Sequence, residues 1–334
     1  MTAAGEILAD EIRRGGPIPF RRFMEVALYH PQYGYYRRGP GTSGRDPFGK
    51  AGDFFTAQQM QPVFGELIAA RIRRLFEDMR SPADFTVVEL GAGRGEMAPA
   101  LAEWRYVPVE IDSHVPDQVR GVFFSNEFFD ALPVEAVVFL RGEFRRRFVA
   151  WEDGRFVWTL GDLASPEVVA HLRRFFPPPA EENCYEANLD ALAWIARIGR
   201  ALRSGWVVTI DYGYTKAEAV RFPHGTLMSY RRHTAREDVL ADPGTRDITA
   251  HVNFTALAAC GEECGLREDR LETLAQTLLA AGEEELARTL AAPNAEEELR
   301  RRLQLKTLVF GMGETFRVLW QRKDGEEFGK KSPE

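Results

Sequence analysis

The stretch Phe85 to Met97, FTVVELGAGRGEM, constrains this chain more than any other. Phe85, Val87, Val88 and Leu90 are apolar and β-favouring, so the run reads as a buried strand. Gly91, Gly93 and Gly95 follow, and glycines take backbone angles that a Cβ forbids, so the chain turns sharply there. The next residues, EMAPALAEW, carry a short helical pattern. Strand, glycine turn and helix form the first third of a nucleotide-binding α/β crossover. A dinucleotide fingerprint wants a further glycine three residues after the second, and Glu96 stands there. A phosphate-binding P-loop wants Lys followed by Ser or Thr at the helix start, and neither follows. A glycine-rich turn of some other α/β fold stays open at this point.

The 334 residues suffice for one large α/β domain with additions, or for two domains. A net charge of -7 argues against a binder held mainly by phosphate contacts, so no nucleic-acid partner is expected. Cys184, Cys260 and Cys264 cannot make a disulfide framework, and the six scattered histidines offer no metal-ligand spacing. These point to a cytoplasmic protein without a structural metal. Cys260 and Cys264, four apart in a helical pattern, read as small buried core residues. MTAAGEILADEIRRGG contains acids and no long apolar stretch, and no run approaches the roughly 20 apolar residues of a membrane helix. Neither a leader nor membrane insertion is expected.

Residues 6–14 read as a short helix, and PIPFRRFMEVALYH puts Phe20, Phe23, Met24, Ala27 and Leu28 on one helical face. An irregular segment rich in Gly, Pro and aromatics follows, then a helix through Val63, Phe64, Leu67, Ile68 and Ile72. RYVPVEID reads as the second strand, Val122 to Ser125 as the next, and residues 135–160 as an antiparallel meander inserted on the sheet. A helix over 188–203 is expected to stop at Gly205, and WVVTIDYGY forms a buried strand ending in Asp211. The last third alternates helix 253–264, strand LREDRLETL, further helices and strand TFRVLWQRK. Two divisions follow: residues 1–80 as an N-terminal helical and irregular segment packed on the core, and residues 81–334 as the core, with the insertion at about 135–185 and a loop at about 214–252.

An acid two residues before Gly-x-Gly-x-Gly resembles the first motif of class I S-adenosylmethionine-dependent methyltransferases. Seven stretches in order are similar to the MidA-type methyltransferases, whose mitochondrial member assists respiratory complex I assembly by methylating an arginine. They are GPIPFRRFMEVALYHPQYGYY, GDFFTA with VFGELIA, VELGAGRGE, NEFFDALPV, IDYG, MSYRRH with DPGTRDITAHVNF, and MGETFRVL. The resemblance implies a Rossmann-like, mostly parallel sheet with helices on both faces, an N-terminal helical segment and a β-meander insertion. It implies S-adenosylmethionine as cofactor and a protein partner presenting an arginine. Glu89, Gly91, Ala92, Gly93 and Gly95 would surround the methionine part of the cofactor, Glu110 would take the ribose, and Gly52, Asp53 and Thr56 would lie over the pocket. Two departures stand out. After GDFFT the family carries Ser-Pro-Glu, whereas this chain has Ala57, Gln58 and Gln59. Only 15 residues separate Glu110 from Asn126, where the family fits a helix and a third strand, so RYVPVEID could be that third strand.

Methyl transfer from a sulfonium needs a nucleophile held in line, about 3 Å from the methyl carbon. An arginine acceptor adds a difficulty, because its guanidinium is cationic with delocalised lone pairs. Carboxylates that grip its fork turn one nitrogen toward the methyl and absorb the released proton. NEFFDALP supplies Glu127 and Asp130 to bind the substrate nitrogen, with Asn126 positioning cofactor or substrate. The alternative makes Asp130 a helix or turn cap and Glu127 a buried partner of an arginine. Asp211, Tyr36, His233 and His251 are further substrate-side candidates; Tyr36 offers a cation–π face and the histidines a proton acceptor. Two other functions fit the same residues: methylation of a small metabolite, or a cofactor-binding assembly factor that transfers nothing.

Overall fold

The computed structural model describes residues 1–37, 57, 60–231, 234–236 and 238–325. In chain order the first elements are α1 (Ala3–Gly15), β1 (Ile18–Pro19), α2 (Phe20–Tyr29), α3 (Val63–Asp78), β2 (Thr86–Leu90), β3 (Arg105–Val109) and β4 (Val119–Asn126). Next come β5 (Glu135–Leu140), β6 (Glu143–Glu152), β7 (Arg155–Leu163), α4 (Pro166–Phe175), β8 (Cys184–Ala187), α5 (Leu189–Ala201) and β9 (Leu202–Tyr214). The remainder is β10 (Met228–Arg231), β11 (Thr234–Arg236), β12 (Asp247–Thr249), β13 (Val252–Asn253), α6 (Phe254–Glu263), β14 (Arg267–Thr273), α7 (Leu274–Leu279), α8 (Glu283–Leu290), α9 (Ala295–Lys306) and β15 (Phe316–Lys323).

The described residues form two compact units. The first draws on Met1–Phe55, Phe129–Leu192 and Tyr214–Thr255, the second on Thr56–Phe128, Ala193–Gly213 and Ala256–Glu334.

In the first unit β5, β6 and β7 make the expected meander, with β8 beside β5 and β1 beside β6, all antiparallel. β10 lies between β11 and β12 in a second small sheet. α2 buries Phe20, Phe23, Met24, Ala27 and Leu28, the i, i+3, i+4 face read from the sequence. It ends before Pro31, which restricts His30 to extended backbone. That face packs with Leu8 and Ile12 of α1, Ala136 of β5 and Val149 of β6. Phe20 lies 4.9 Å from Trp158 and Phe23 lies 5.3 Å from Phe156. α4 starts on a Ser165 cap that accepts the Val168 N–H, with Pro166 in its first turn.

The second unit holds the sheet of order β14-β15-β9-β4-β2-β3. β3, β2, β4 and β9 run parallel, while β15 and β14 are antiparallel additions. β2 is buried along its whole length, as a strand covered on both faces must be. On one face Val87, Val122, Phe124 and Val208 pack with Phe64, Leu67, Ile68 and Ile72 of α3 and with Leu274 and Leu278 of α7. On the other, Lys323 Nζ donates to the Gly199 carbonyl of α5 and Gln321 Nε2 to the Ala258 carbonyl of α6. Helices therefore cover both faces. The acid runs 283–285 and 296–298 form the first turns of α8 and α9, where carboxylates complement the helix dipole. Cys260 and Cys264 are half-buried thiols outside any disulfide rather than fully buried core residues.

Three local expectations change. Residues 91–104 form successive turns rather than a helix: Ala98 donates to Gly95 and Ala100 to Met97. Pro99 explains this, since it lacks the N–H that a helix would use. Gly205 does not stop α5 but lies inside β9 opposite Gly121, where a Cβ would stand 1.9 Å from the Gly121 carbonyl oxygen. β9 also runs on past Asp211 to Tyr214.

Candidate active site

Parallel strands present their carboxyl ends together, and the register of the second unit fixes which residues meet there. Leu90 is level with Ser125, and Ser125 with Thr209, so Gly91, Asn126 and Ile210 stand on one line where β2 and β4 end. Ligands of open α/β sheets bind at this edge.

The glycine turn begins with the Gly91 N–H donating to Val109 of β3 at 2.8 Å. Gly91, Gly93 and Gly95 have φ of +66°, +55° and +73°, so the turn is left-handed at each glycine, as their spacing requires. The Gly93 N–H donates to Glu110 Oε1 at 2.9 Å. β3 is thus the immediate neighbour of the glycine-turn strand, and Glu110 at its end reaches the turn. The alternative reading of RYVPVEID as a third strand is corrected: among the described residues β3 is the edge of the sheet, and the short connection leaves that further strand no length.

Glu89 is fully buried, and Tyr106 Oη donates to its Oε2 at 2.6 Å. Burial and then the Glu89 charge push the Tyr106 phenol well above its ordinary range, so it stays a donor. Reading the sequence missed Tyr106; its signal was a polar-tipped aromatic on the strand beside a buried acid.

At the end of β4, Asn126 Nδ2 donates to Glu127 Oε1 at 2.9 Å, and the Ala57 N–H reaches the same oxygen at 3.3 Å. Ala57 thus contributes its peptide to this carboxylate. Glu127 has φ +52°, rare for a residue with a side chain, and its N–H donates to Ile210 of β9 at 3.0 Å. Asn126 is buried, and its Oδ1 has no hydrogen-bond partner among the described residues. Asp211 is buried one residue beyond, accepting the Tyr212 N–H at 2.9 Å. Phe128 lies against Gly91 and meets Trp194 edge-on at 5.1 Å.

The second unit therefore brings together Glu89, the turn at 91–95, Glu110, Asn126, Glu127 and Asp211. Asp130, Tyr36 and His251 belong to the first unit. There Tyr36 Oη donates to Asp247 Oδ1 at 2.8 Å and its ring stacks on Tyr29 at 5.6 Å. Burial, then the charge of Asp247, raises the Tyr36 phenol, with Asp130 adding to the effect. Asp130 is buried and its carbonyl accepts the Ala250 N–H at 2.9 Å. His251 packs edge-on against Phe222 at 5.3 Å, and burial lowers its pKa. Gly52, Asp53, Thr56 and His233 lie outside the described residues.

The cluster suits a donor with a cationic amino-acid end and a ribose. Asn126 Oδ1 is a buried acceptor awaiting a donor, the Glu110 carboxylate is exposed, and a Cβ at Gly93 would meet nothing nearer than 4.0 Å. The turn is thus bare backbone that a ligand can approach closely.

Residues 99–271, more than half the chain, match the family Methyltransf_28, described as S-adenosyl-L-methionine-dependent methyltransferase. The Drosophila melanogaster protein arginine methyltransferase NDUFAF7 homolog is 27% identical over 93% of this chain and 83% of its own length. The human mitochondrial protein arginine methyltransferase NDUFAF7 is 26% identical over 75% of this chain and 67% of its own. A Burkholderia thailandensis protein crystallised bound to S-adenosyl-homocysteine superposes with a TM-score of 0.84 at 28% identity, covering 98% of this chain and 94% of the other.

Proposed function

Because this chain belongs to the S-adenosyl-L-methionine-dependent methyltransferase family Methyltransf_28, we propose that it methylates an arginine of a partner protein. The relatives named as protein arginine methyltransferases support that acceptor. The carrying observation is the Asn126–Glu127 pair, a carboxylate oxygen fixed by two N–H donors on a strained backbone at the sheet's ligand edge.

Bound S-adenosylmethionine supplies an electrophilic methyl on a sulfonium, and everything else falls to the protein. Glu89, Gly91, Ala92, Gly93, Gly95 and Asn126 would hold its amino-acid end, and Glu110 its ribose. Tyr106 keeps Glu89 in one rotamer, so this buried acid is oriented in advance. Glu127 faces a harder task, because a guanidinium loses its proton only above about pH 12 in water. With Oε1 fixed, Glu127 grips the planar cation, exposes one nitrogen, and accepts the proton as the nitrogen gains its methyl. Its left-handed backbone costs roughly 1–3 kcal/mol, the kind of strain that concentrates at functional sites.

The test is transfer of radiolabelled methyl into a host lysate stripped of this protein, read as labelled amino acids after hydrolysis. Wild type labels methylarginine; Glu127→Gln keeps cofactor affinity and loses roughly 10²-fold or more in rate. Persistent labelling in the variant refutes the role of Glu127. Label confined to small molecules identifies a metabolite enzyme, and cofactor binding without turnover identifies an assembly factor.

A further inference from the structure

The first unit contains a cavity of about 180 Å³ with an aromatic wall of Phe176, Tyr185, Tyr214 and Phe222. The rings are contiguous: Phe176 lies 5.4 Å from Tyr185 and 6.1 Å from Tyr214, and Tyr214 lies 5.4 Å from Phe222. One carboxylate lines the same space. Glu186 is only 6% exposed, and its Oε2 accepts from the Thr226 N–H and hydroxyl, both at 3.0 Å. Among the described residues Oε1 has no hydrogen-bond partner. Gly225, at φ +84°, lets the backbone pass so close that a Cβ there would stand 2.1 Å from that oxygen.

The Glu186 Oε1 oxygen faces the cavity with no donor on it among the described residues, and the π faces of the surrounding rings attract cations. The Glu186 carboxyl is raised: burial pushes it up, and the Thr226 bonds and the charge of Arg147 pull it only part of the way back. Arg147 does not meet the demand for a donor, because it lies over the Trp158 ring at 3.8 Å and donates to Cys184 Sγ at 3.7 Å. The space falls below the roughly 300 Å³ at which pockets for drug-sized molecules begin, and suits one planar cation.

We propose that this cavity receives the guanidinium of an arginine side chain on the protein substrate, a second anchor besides the arginine that is methylated. The proposal deepens the protein-substrate reading and rests on it. The first experiment is calorimetric titration of the full chain with Nα-acetyl-arginine methylamide and its citrulline counterpart, the uncharged near-isostere. The arginine compound should bind about tenfold tighter. Glu186→Gln should erase that preference, and Ala219→Phe, which fills the cavity from another lining position, should abolish binding. Both variants should keep cofactor affinity and thermal unfolding, and Glu186→Gln should raise KM for the protein substrate at unchanged kcat. A single-arginine peptide that binds tighter than the capped residue, through Glu186, assigns the guanidinium to a protein.

A preference for arginine that survives both variants overturns the proposal. So does one that disappears in Glu127→Gln alone, since binding then belongs to the acceptor site. Glu186-dependent binding without methylarginine formation upholds the cavity and defeats the functional reading; methylarginine formation with a silent Glu186→Gln does the reverse.

Discussion

Replacing Gly91 with alanine adds a side-chain clash to a backbone cost that the other turn glycines share. At φ +66° an alanine pays about 1–2 kcal/mol for the left-handed conformation. Its Cβ would also stand 2.9 Å from Phe128 Cδ2. Phe128 is buried against Trp194, so relief means turning the ring off its rotamer, for roughly 0.5–1.5 kcal/mol more. Gly95 is the internal control. Its φ of +73° carries the same backbone cost, but its Cβ would meet Ala98 at 3.8 Å, an ordinary contact. Gly91→Ala should therefore be less stable than Gly95→Ala by roughly 0.5–1.5 kcal/mol, a factor of roughly two to ten in the unfolding equilibrium. Denaturant unfolding followed by tryptophan fluorescence measures this, with Trp194 as a nearby reporter. Both variants should weaken binding of S-adenosylhomocysteine. Equal stabilities, or Gly95→Ala the weaker, would refute the claim that Phe128 fixes the space beside the turn.

Tyr106→Phe removes the donor from the buried Glu89 carboxylate, a bond of the charged class worth about 1.5–3 kcal/mol; cofactor affinity by calorimetry should fall about tenfold or more while the fold survives. His171 is held down at about 4 by burial, with the charge of Arg174 adding, against its ordinary 6.5. The unfolded chain therefore takes up this proton first on acidification: His171 costs nothing above about pH 6.5 and destabilises increasingly from there to about pH 4. His171→Leu should flatten the fall of Tm across that window, and a parallel fall in both proteins would sink the assignment. Asn126→Ala removes a donor to Glu127 Oε1 and should lower methyl-transfer kcat more than it raises KM, measured with the labelled protein substrate.

Much of this was legible in the residues. Helix α2 and strands β2, β4 and β9 carry their burial in local periodicity, and the turn at 91–95 declares itself by glycine spacing. What failed to show depends on pairing at a distance. Gly205 looks like a helix stop until β4 supplies the Gly121 carbonyl opposite it. Tyr106 becomes a partner of Glu89 only once β3 lies parallel to β2. The place of the strand that ends at Glu110 was ambiguous because it is set by its neighbours, and the pairing of β3 with β2 fixes it. Glu127 was read for its carboxylate, while its left-handed backbone, which goes with a bond from its N–H to Ile210, left no mark in the sequence. Glu186 was passed over for the same reason, since its Thr226 partner lies 40 residues away.

The last strand in chain order among the described residues is not at the edge of its sheet. β15 lies between β9 and β14, paired with β9 from Phe316 to Lys323. Until the ribosome has released those residues, β14 has no neighbour in the sheet, and β9 offers a long unpaired edge of the kind that invites association with other chains. A nascent chain ending at residue 315 would be a template for aggregation rather than a slightly shortened enzyme. A product that stops before Phe316 lacks the strand that joins β9 to β14, and proteolysis has an open edge to find.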